Sequence, residues 1–279
     1  MYTKTNIIKS IFFYFLDKKN DFKFIKNSLS VKIENFFQIF FIKKTKFSYL
    51  IDKNIFKAED NSHVRFFTFK KRGFWLYREG IIARGDFLFK SYCLQNITFK
   101  KNDKVIDCGA NSGDLFLKFI DLIEHENYIA IEPNPSDFEL LKMNVGNKPI
   151  LINKALGNKN DTMKFYVSTQ NADSSLIEPL EYTEIVNVEV IRLDYLLDKL
   201  SINSVKLLKI EAEGFEPEIL KGLGNKINLC EYIAVDGGYE RGINSEQTFT
   251  NITNFLLANN FTLKDIYFPW CRALFKRSY

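Results

Sequence analysis

The sequence predicts an α/β protein, with a parallel sheet covered by helices and preceded by a basic helical extension. Three observations predict it. From Lys104 onward, short apolar runs alternate with helix-length segments, the pattern that puts parallel strands in the middle and helices on both faces. The first of these runs ends in an acid and turns through spaced glycines, Val105-Ile106-Asp107-Cys108-Gly109-Ala110-Asn111-Ser112-Gly113-Asp114. Residues 1 to 50 carry ten lysines against Asp17, Asp21 and Glu34, a local charge of +7, so the rest of a chain of net charge +5 sums to −2.

The extension covers residues 1 to 60. Its apolar positions Ile7, Ile8, Ile11, Phe12, Phe15 and Leu16 recur at helical spacing, as do Ile33, Phe36, Phe37, Phe40 and Phe41. Two short amphipathic helices are expected. One reading packs them as a cap or dimer arm on the main domain; the other rests a basic, aromatic face of residues 1 to 50 on an anionic membrane surface. Residues 61 to 103 read as a connector, with strands near Arg65 to Phe69 and Trp75 to Arg78, turns at Lys71-Arg72-Gly73 and Gly80, and a helix near Phe87 to Leu94.

Residues 104 to 279 form the main domain. Strands are expected at 104–107, 127–131, 149–153, 205–210 and 232–236, with helices at 113–124, 135–146, 216–221 and 246–259. An antiparallel insertion, near Thr162 to Ser168 and Asn187 to Leu193, interrupts the alternation. Two runs without a helix between them, Thr262 to Phe268 and Arg272 to Lys276, close the chain.

Hydrophobic content of 46% and charged content of 26% are globular values. The four cysteines, Cys93, Cys108, Cys230 and Cys271, have no CxxC pairing and no histidine at zinc-finger spacing, which suits a reducing, cytoplasmic compartment. Ile11 to Leu16 and Phe36 to Ile42 are flanked by lysines and fall short of the roughly 20 apolar residues that span a bilayer. Neither a membrane span nor a secretory signal is expected. The near-neutral main domain offers no extended basic groove, so no specific nucleic-acid partner is expected.

The glycine turn carries the chemistry. Glycine lets the backbone approach a ligand and adopt positive φ. A nicotinamide-binding turn reads G-x-G-x-x-G, but here Asn111 stands where the second glycine belongs. Glu132, at the end of the run Tyr128 to Ile131, supplies a carboxylate able to accept hydrogen bonds from both hydroxyls of an adenosine ribose. Together these fit S-adenosylmethionine better than NAD, although an Asp-x-Gly turn by itself also serves as a tight structural turn.

Four blocks extend the pattern: VIDCGANSGD (Val105 to Asp114), AIEPNPSDFELLKMNV (Ala130 to Val145), NKALGN (Asn153 to Asn158) and LLKIEAEGFEPEILKGL (Leu207 to Leu223). Through them Val105 to about Tyr267, about three fifths of the chain, resembles the FkbM family of S-adenosylmethionine-dependent methyltransferases. One departure is Glu211, where the commoner form of the last block has Asp. The resemblance implies a Rossmann-like seven-stranded methyltransferase sheet with a terminal antiparallel hairpin. It also implies transfer of a methyl group to oxygen on a sugar, glycolipid or related metabolite. Other readings are a protein or secondary-metabolite acceptor, or a non-catalytic, membrane-associated binding protein with the same fold.

Asp107, Glu132, Glu211 and Asp236 all fall at strand ends, on the rim where open α/β sheets hold ligands. By the resemblance, Asp107, Gly109, Ala110, Asn111, Gly113 and Glu132 bind the cofactor, and Asn153, Ala155 and Leu156 flank its adenine; plain turn or loop roles are the alternative. Glu211 and Glu213 are candidates for base or metal ligand, with Lys209 as electrostatic partner. Against that stands a capping role for Glu213 and Glu216 at the helix that follows. Substrate candidates are Arg84 with its neighbours Gly85 and Asp86, Ser174 and Ser175 in the run Asp173-Ser174-Ser175-Leu176, and Asp236 and Arg241. Arg241 has, as its alternative, a turn contact with Glu240 or Asp236. His125 reads as a solvated helix-end residue and His63 as a remote candidate base. Spacing does not support a site for Mg²⁺.

Overall fold

The computed structural model describes residues 23–40, 45–168 and 174–278. The chain divides into two compact units, Met1–Arg84 and Gly85–Tyr279.

In the first unit, helix α1 (Lys23–Phe40) precedes an antiparallel meander of β1 (Lys46–Leu50), β2 (Ile55–Glu59) and β3 (Val64–Phe67). The second expected amphipathic helix therefore forms, and Phe36 of its apolar stripe faces outward. Phe36 is 57% exposed, and the buried side is Asn27, Ser30, Val31, Glu34 and Gln38. Asn35 fixes the rotation: its amide donates to the Phe47 carbonyl at 2.7 Å and accepts from the Phe47 N–H at 2.8 Å, pairing with β1 as a strand residue does. The stripe from Ile7 to Leu16, and Phe41, lie outside the described residues.

The connector also needs correcting. Where a turn at Lys71-Arg72-Gly73 and a strand at Trp75 to Arg78 are expected, helix α2 (Lys70–Tyr77) runs through both. Gly73 is no turn residue; a Cβ there would lie 1.9 Å from the Phe67 ring. That close approach completes an aromatic core in which Phe56 stacks on Phe67 at 5.5 Å and Phe47 meets Phe74 edge-on at 4.9 Å. Helix α3 (Ile81–Ser91) follows the turn at Gly80, whose φ is 117°.

The second unit contains β4 (Val105–Cys108), β5 (Tyr128–Ile131), α4 (Pro135–Val145), β6 (Ile150–Ile152), β7 (Ala155–Gly157), β8 (Asp161–Val167) and β9 (Glu184–Arg192). After these come α5 (Leu193–Lys199), β10 (Val205–Ile210), α6 (Glu216–Leu223), β11 (Cys230–Asp236), β12 (Tyr239–Arg241), β13 (Glu246–Gln247), α7 (Phe249–Ala258), β14 (Phe261–Tyr267) and β15 (Arg272–Arg277). Seven strands form one sheet in the order β14-β15-β11-β10-β4-β5-β6. It is parallel except for β15, which runs antiparallel to both neighbours and gives the expected terminal hairpin. The insertion is a small separate sheet, β7-β9-β8.

Strand alternation divides the core in two. Ile106, Ile129, Leu208 and Ile233 pack with Ile219, Leu220, Ile252 and Leu256 of α6 and α7. Val105, Tyr128, Ala130, Leu207 and Ala234 face Leu88, Tyr92, Phe116 and Phe119 on the other side. Asp107 and Lys209 continue the second face, as direct register partners on β4 and β10. The expected helix at 113–124 is only a single 3₁₀ turn, Leu115–Lys118. Leu115, Phe116 and Leu117 are all buried, and three consecutive side chains cannot share one face of an α-helix. All four cysteines are unpaired. Among the described residues, no helix is long and apolar enough to cross a membrane.

Candidate cofactor site and its charge network

The chain runs from β4 outward through β5 to β6, then returns to lay β10 on the other side of β4. The order of strands reverses there, and the carboxyl ends of β4 and β10 frame the crevice where such sheets hold ligands. Gly109, at φ 76°, follows β4 directly. A Cβ on it would sit 1.9 Å from the Glu211 carbonyl oxygen, so only glycine lets the two strand ends meet. The N–H groups of Gly109 and Ala110 both donate to the Ile131 carbonyl at 3.0 Å. Asn111 continues the turn at φ 48°. Gly113, at φ 85°, packs where a Cβ would meet Val145 at 2.5 Å and Leu141 at 2.8 Å, which seats the turn on α4.

Glu132 closes this side. One carboxylate oxygen accepts the Asn111 N–H and the other the Asn134 N–H, each at 2.8 Å. The Asn153 amide donates to the carbonyls of Glu132 at 2.8 Å and Pro133 at 3.1 Å, holding the β5 and β6 ends together. Burial, with nearby Asp137 adding to it, pushes the Glu132 carboxyl up to about 8, against the two amide hydrogen bonds that lower it.

The other side is a chain of alternating charges across β4, β10, β15 and β11. Lys209 Nζ lies 3.0 Å from Asp107 and 3.1 Å from Glu211; Arg272 reaches Glu211 at 2.5 Å and Asp236 at 2.6 Å. Lys209 also donates to the carbonyls of Cys108 and Gly109 at 3.2 and 2.8 Å, and Tyr128 donates its hydroxyl to Asp107 at 2.5 Å. Arg272 donates to Ser91 Oγ at 2.8 Å, and its guanidinium lies 4.3 Å from the Tyr92 ring and 4.5 Å from that of Trp270. Burial alone would raise Glu211, yet Lys209 and Arg272 hold it well below the usual carboxylate range. A carboxylate paired this strongly is an anchor for cations and a poor proton acceptor.

Further acids lie behind. Glu216 accepts the N–H groups of Ala212 at 2.8 Å and Gly214 at 3.1 Å, both ahead of α6, and the Thr248 hydroxyl at 3.1 Å; it braces the preceding turn, while the α6 N-cap, Phe215, has no side-chain cap. Burial pushes it up to about 7. Glu213, at φ 48°, hydrogen-bonds Glu240, which burial and the field of Asp236 and Glu211 push up to about 8. Arg241 donates to both oxygens of Glu218 on α6, at 2.8 and 3.0 Å, and to the Gly214 carbonyl at 2.5 Å, in place of the expected turn contact with Glu240 or Asp236. Ser175 donates to the Glu213 carbonyl at 2.8 Å, and Ser174 accepts the Ser168 N–H at 3.0 Å. Asp173 lies outside the described residues.

The structure thus gathers Asp107, Gly109, Ala110, Asn111, Gly113, Glu132, Asn153, Lys209, Glu211, Glu213, Ser175 and Asp236 around neighbouring strand ends. Ala155 and Leu156 are not loop residues: they are buried in β7, paired to Val190 and Ile191 of β9, because the insertion claims them for its own sheet. Arg84 ends the first unit, while Asp86 pairs with Lys118 at 2.6 Å. His63 lies 3.4 Å from Asp60 in the first unit, and His125 contacts the Ile120 carbonyl at 3.2 Å, half-buried against Phe116. Among the described residues, no three histidines, cysteines or acids group to hold a metal ion. Arg272 and Tyr92 escape sequence reasoning. The available signal for Arg272 was a lone cation opening the apolar run Arg272-Ala273-Leu274-Phe275.

The strand order and the glycine turn at the switch point are those of the Rossmann-like methyltransferase fold. The model of the methyltransferase FkbM domain matches residues 107–263, and the chain belongs to that family. No curated protein matches significantly. Among solved structures, the chain is similar to a methyltransferase FkbM from Methylobacillus flagellatus KT, at 18% identity and a TM-score of 0.44, over 65% of this chain and 45% of that one. It spans less than half the length of that relative. It is also similar to Aeropyrum pernix fibrillarin with natively bound S-adenosyl-L-methionine (11% identity, 80% of this chain and 93% of that one, TM-score 0.41). A third is M. capricolum TrmK with S-adenosyl-homocysteine (12% identity, 64% of this chain and 62% of that one, TM-score 0.36).

Proposed function

We propose that the protein binds S-adenosylmethionine and transfers its methyl group to a hydroxyl oxygen of a sugar, glycolipid or related metabolite. The observation that carries this is Glu132, fixed by two backbone N–H groups beside a turn that only glycine can make. Each of its oxygens keeps a lone pair for a ribose hydroxyl, so the residues present fit the cofactor. Gly109 and Gly113 keep the turn free of side chains, and Asp107 and Lys209 fix the strand end beneath it. When bound, the cofactor supplies an electrophilic methyl on a sulfonium.

The acceptor oxygen must lose its proton as it attacks. Glu211 is held ionised by two cations, so we assign proton acceptance to Glu240, hydrogen-bonded to Glu213 and raised to about 8. The new bond is carbon to acceptor oxygen, the broken bond is carbon to sulfur, and the hydroxyl proton passes to the Glu240 carboxylate. The sugar-like acceptor is supported by the family resemblance. Unpaired cysteines suit a reducing cytoplasm, and the +7 of residues 1 to 50 suits contact with an anionic membrane. Loss of liposome co-sedimentation on deleting residues 1 to 50 is the result that contact requires.

The test is transfer of labelled methyl to a panel of saccharides. Turnover should require a saccharide, and Glu240→Gln should lower kcat by roughly 10²- to 10⁴-fold while cofactor affinity holds. Saccharide-independent turnover on protein or amine acceptors, or an unchanged kcat in Glu240→Gln, overturns the corresponding part of the assignment.

A further inference from the structure

The rim beyond Asp236 carries exposed aromatic surface. The turn between β14 and β15 leaves Phe268 79% and Trp270 38% exposed, and Tyr239, three residues past Asp236, is 68% exposed. These residues share one end of the sheet. Asp236 pairs with Arg272 in register, and the Gly237 N–H donates to the Cys271 carbonyl at 3.1 Å. Trp270 is also held in place: Phe87 meets its ring edge-on at 4.9 Å, and the Arg272 guanidinium lies 4.5 Å from its centre. The same guanidinium donates to Glu211 at 2.5 Å and Asp236 at 2.6 Å, so the ring sits one residue away from the charge network.

Carboxylates flank the aromatics. A Cβ built on Gly238 would lie 3.2 Å from Asp236 Oδ1 and 3.3 Å from Glu240 Oε1, so the two acids converge on one point of the rim. Exposed aromatic side chains at the same sheet end as two carboxylates match a ligand with an apolar C–H face and an edge of hydroxyl donors. A pyranose ring has both.

We infer that Trp270, with Phe268 and Tyr239, forms a stacking platform for a pyranose ring whose hydroxyls hydrogen-bond Asp236 and Glu240. The inference rests on the proposed methyl transfer only in calling that ring the methyl acceptor. Trp75 and Trp270 are the only tryptophans in the chain, so Trp75→Phe in the full-length protein leaves Trp270 as the sole indole emitter. This variant is titrated with the methyl glycosides of glucose, galactose, mannose and rhamnose in the presence of S-adenosylhomocysteine, and separately with phosphatidylglycerol vesicles. A saturable emission change with a glycoside, and none with vesicles, is expected. Phe268→Ala should weaken that glycoside roughly tenfold, the effect of losing an aromatic contact, with S-adenosylhomocysteine affinity unchanged. Silence toward every glycoside, or a change with vesicles alone, overturns the platform. If Trp75→Phe fails to fold, the difference between wild type and Trp270→Phe gives the same signal. Calorimetry with S-adenosylhomocysteine on the same samples separates the two ideas: binding with a silent Trp270 defeats the platform alone, and absent binding defeats the methyltransferase reading.

Discussion

The two sides of the crevice are held by different chemistry. On the β4–β5 side, positions are set by backbone: glycines at φ 76° and 85°, and a carboxylate gripped by two main-chain N–H groups. On the β10–β11–β15 side they are set by side chains, a chain of ions from Asp107 through Lys209, Glu211 and Arg272 to Asp236. Backbone geometry fixes a shape that tolerates little substitution. An ion network is instead a balance, stable while every member is present and costly when one is removed. The first side suits a cofactor of fixed shape, and the second suits reacting groups whose charges must stay in place.

The largest effect should come from unbalancing the network. Arg272→Met leaves Asp236 buried without its cation and Glu211 with Lys209 alone, and loss of a buried partner costs on the order of 3–5 kcal/mol; thermal unfolding measures it. Arg272→Lys should recover part of that loss. If Arg272→Met melts with wild type, the side chains do not hold this side together.

Next in size is Glu132→Ala. Hydrogen bonds to a charged group contribute roughly 1.5–3 kcal/mol each, so losing a pair to the ribose should weaken S-adenosylmethionine by about 100-fold or more. Calorimetry should show this with little change in fold. Gly113→Ala should cost less, about 1–3 kcal/mol, because a methyl is forced against Val145 at positive φ. Comparing it with Gly80→Ala, where φ is 117° but nothing lies within 4 Å, separates backbone strain from crowding.

The smallest effect is one of pH, and it sharpens the contrast. Glu132 is raised from 4.5 to about 8, Glu240 to about 8 and Glu216 to about 7. Across that window the folded protein keeps protons that the unfolded chain has released, so these three groups make stability fall as pH rises from about 4.5 to about 8. Glu211 has the opposite sign: its contribution is present above about 4.5 and is lost as pH falls further. A ribose that binds ionised Glu132 lowers its pKa, so cofactor affinity should rise with pH, by at most about tenfold per unit, and level off near 8. A flat affinity profile between pH 6 and 8 would detach Glu132 from the cofactor.

The contrast also explains what the sequence could reveal. The backbone-held side is legible because its demands are local: Gly109 and Gly113 are glycines for reasons confined to a short stretch, and Glu132 follows its own strand by one residue. The terminal hairpin is legible for the same reason, two apolar runs with no helix between them. The side-chain network is not, since Arg272 acquires its meaning only when β15 inserts between β14 and β11 and meets Asp236 and Glu211. Ala155 and Leu156 read as loop residues because apolar residues after a strand look the same whether they stay in a loop or enter another sheet. Phe36 misled because the neighbouring amide, Asn35, is held by the backbone of Phe47 and leaves Phe36 facing outward.

Calorimetric titration of S-adenosylmethionine into wild type and Glu132→Ala, with NAD as competitor, tests the central claim most directly. One saturable site is expected in the wild type, unaffected by NAD and weakened about 100-fold or more in the variant. Absence of binding to folded wild type, or equal affinity in the two proteins, would contradict it.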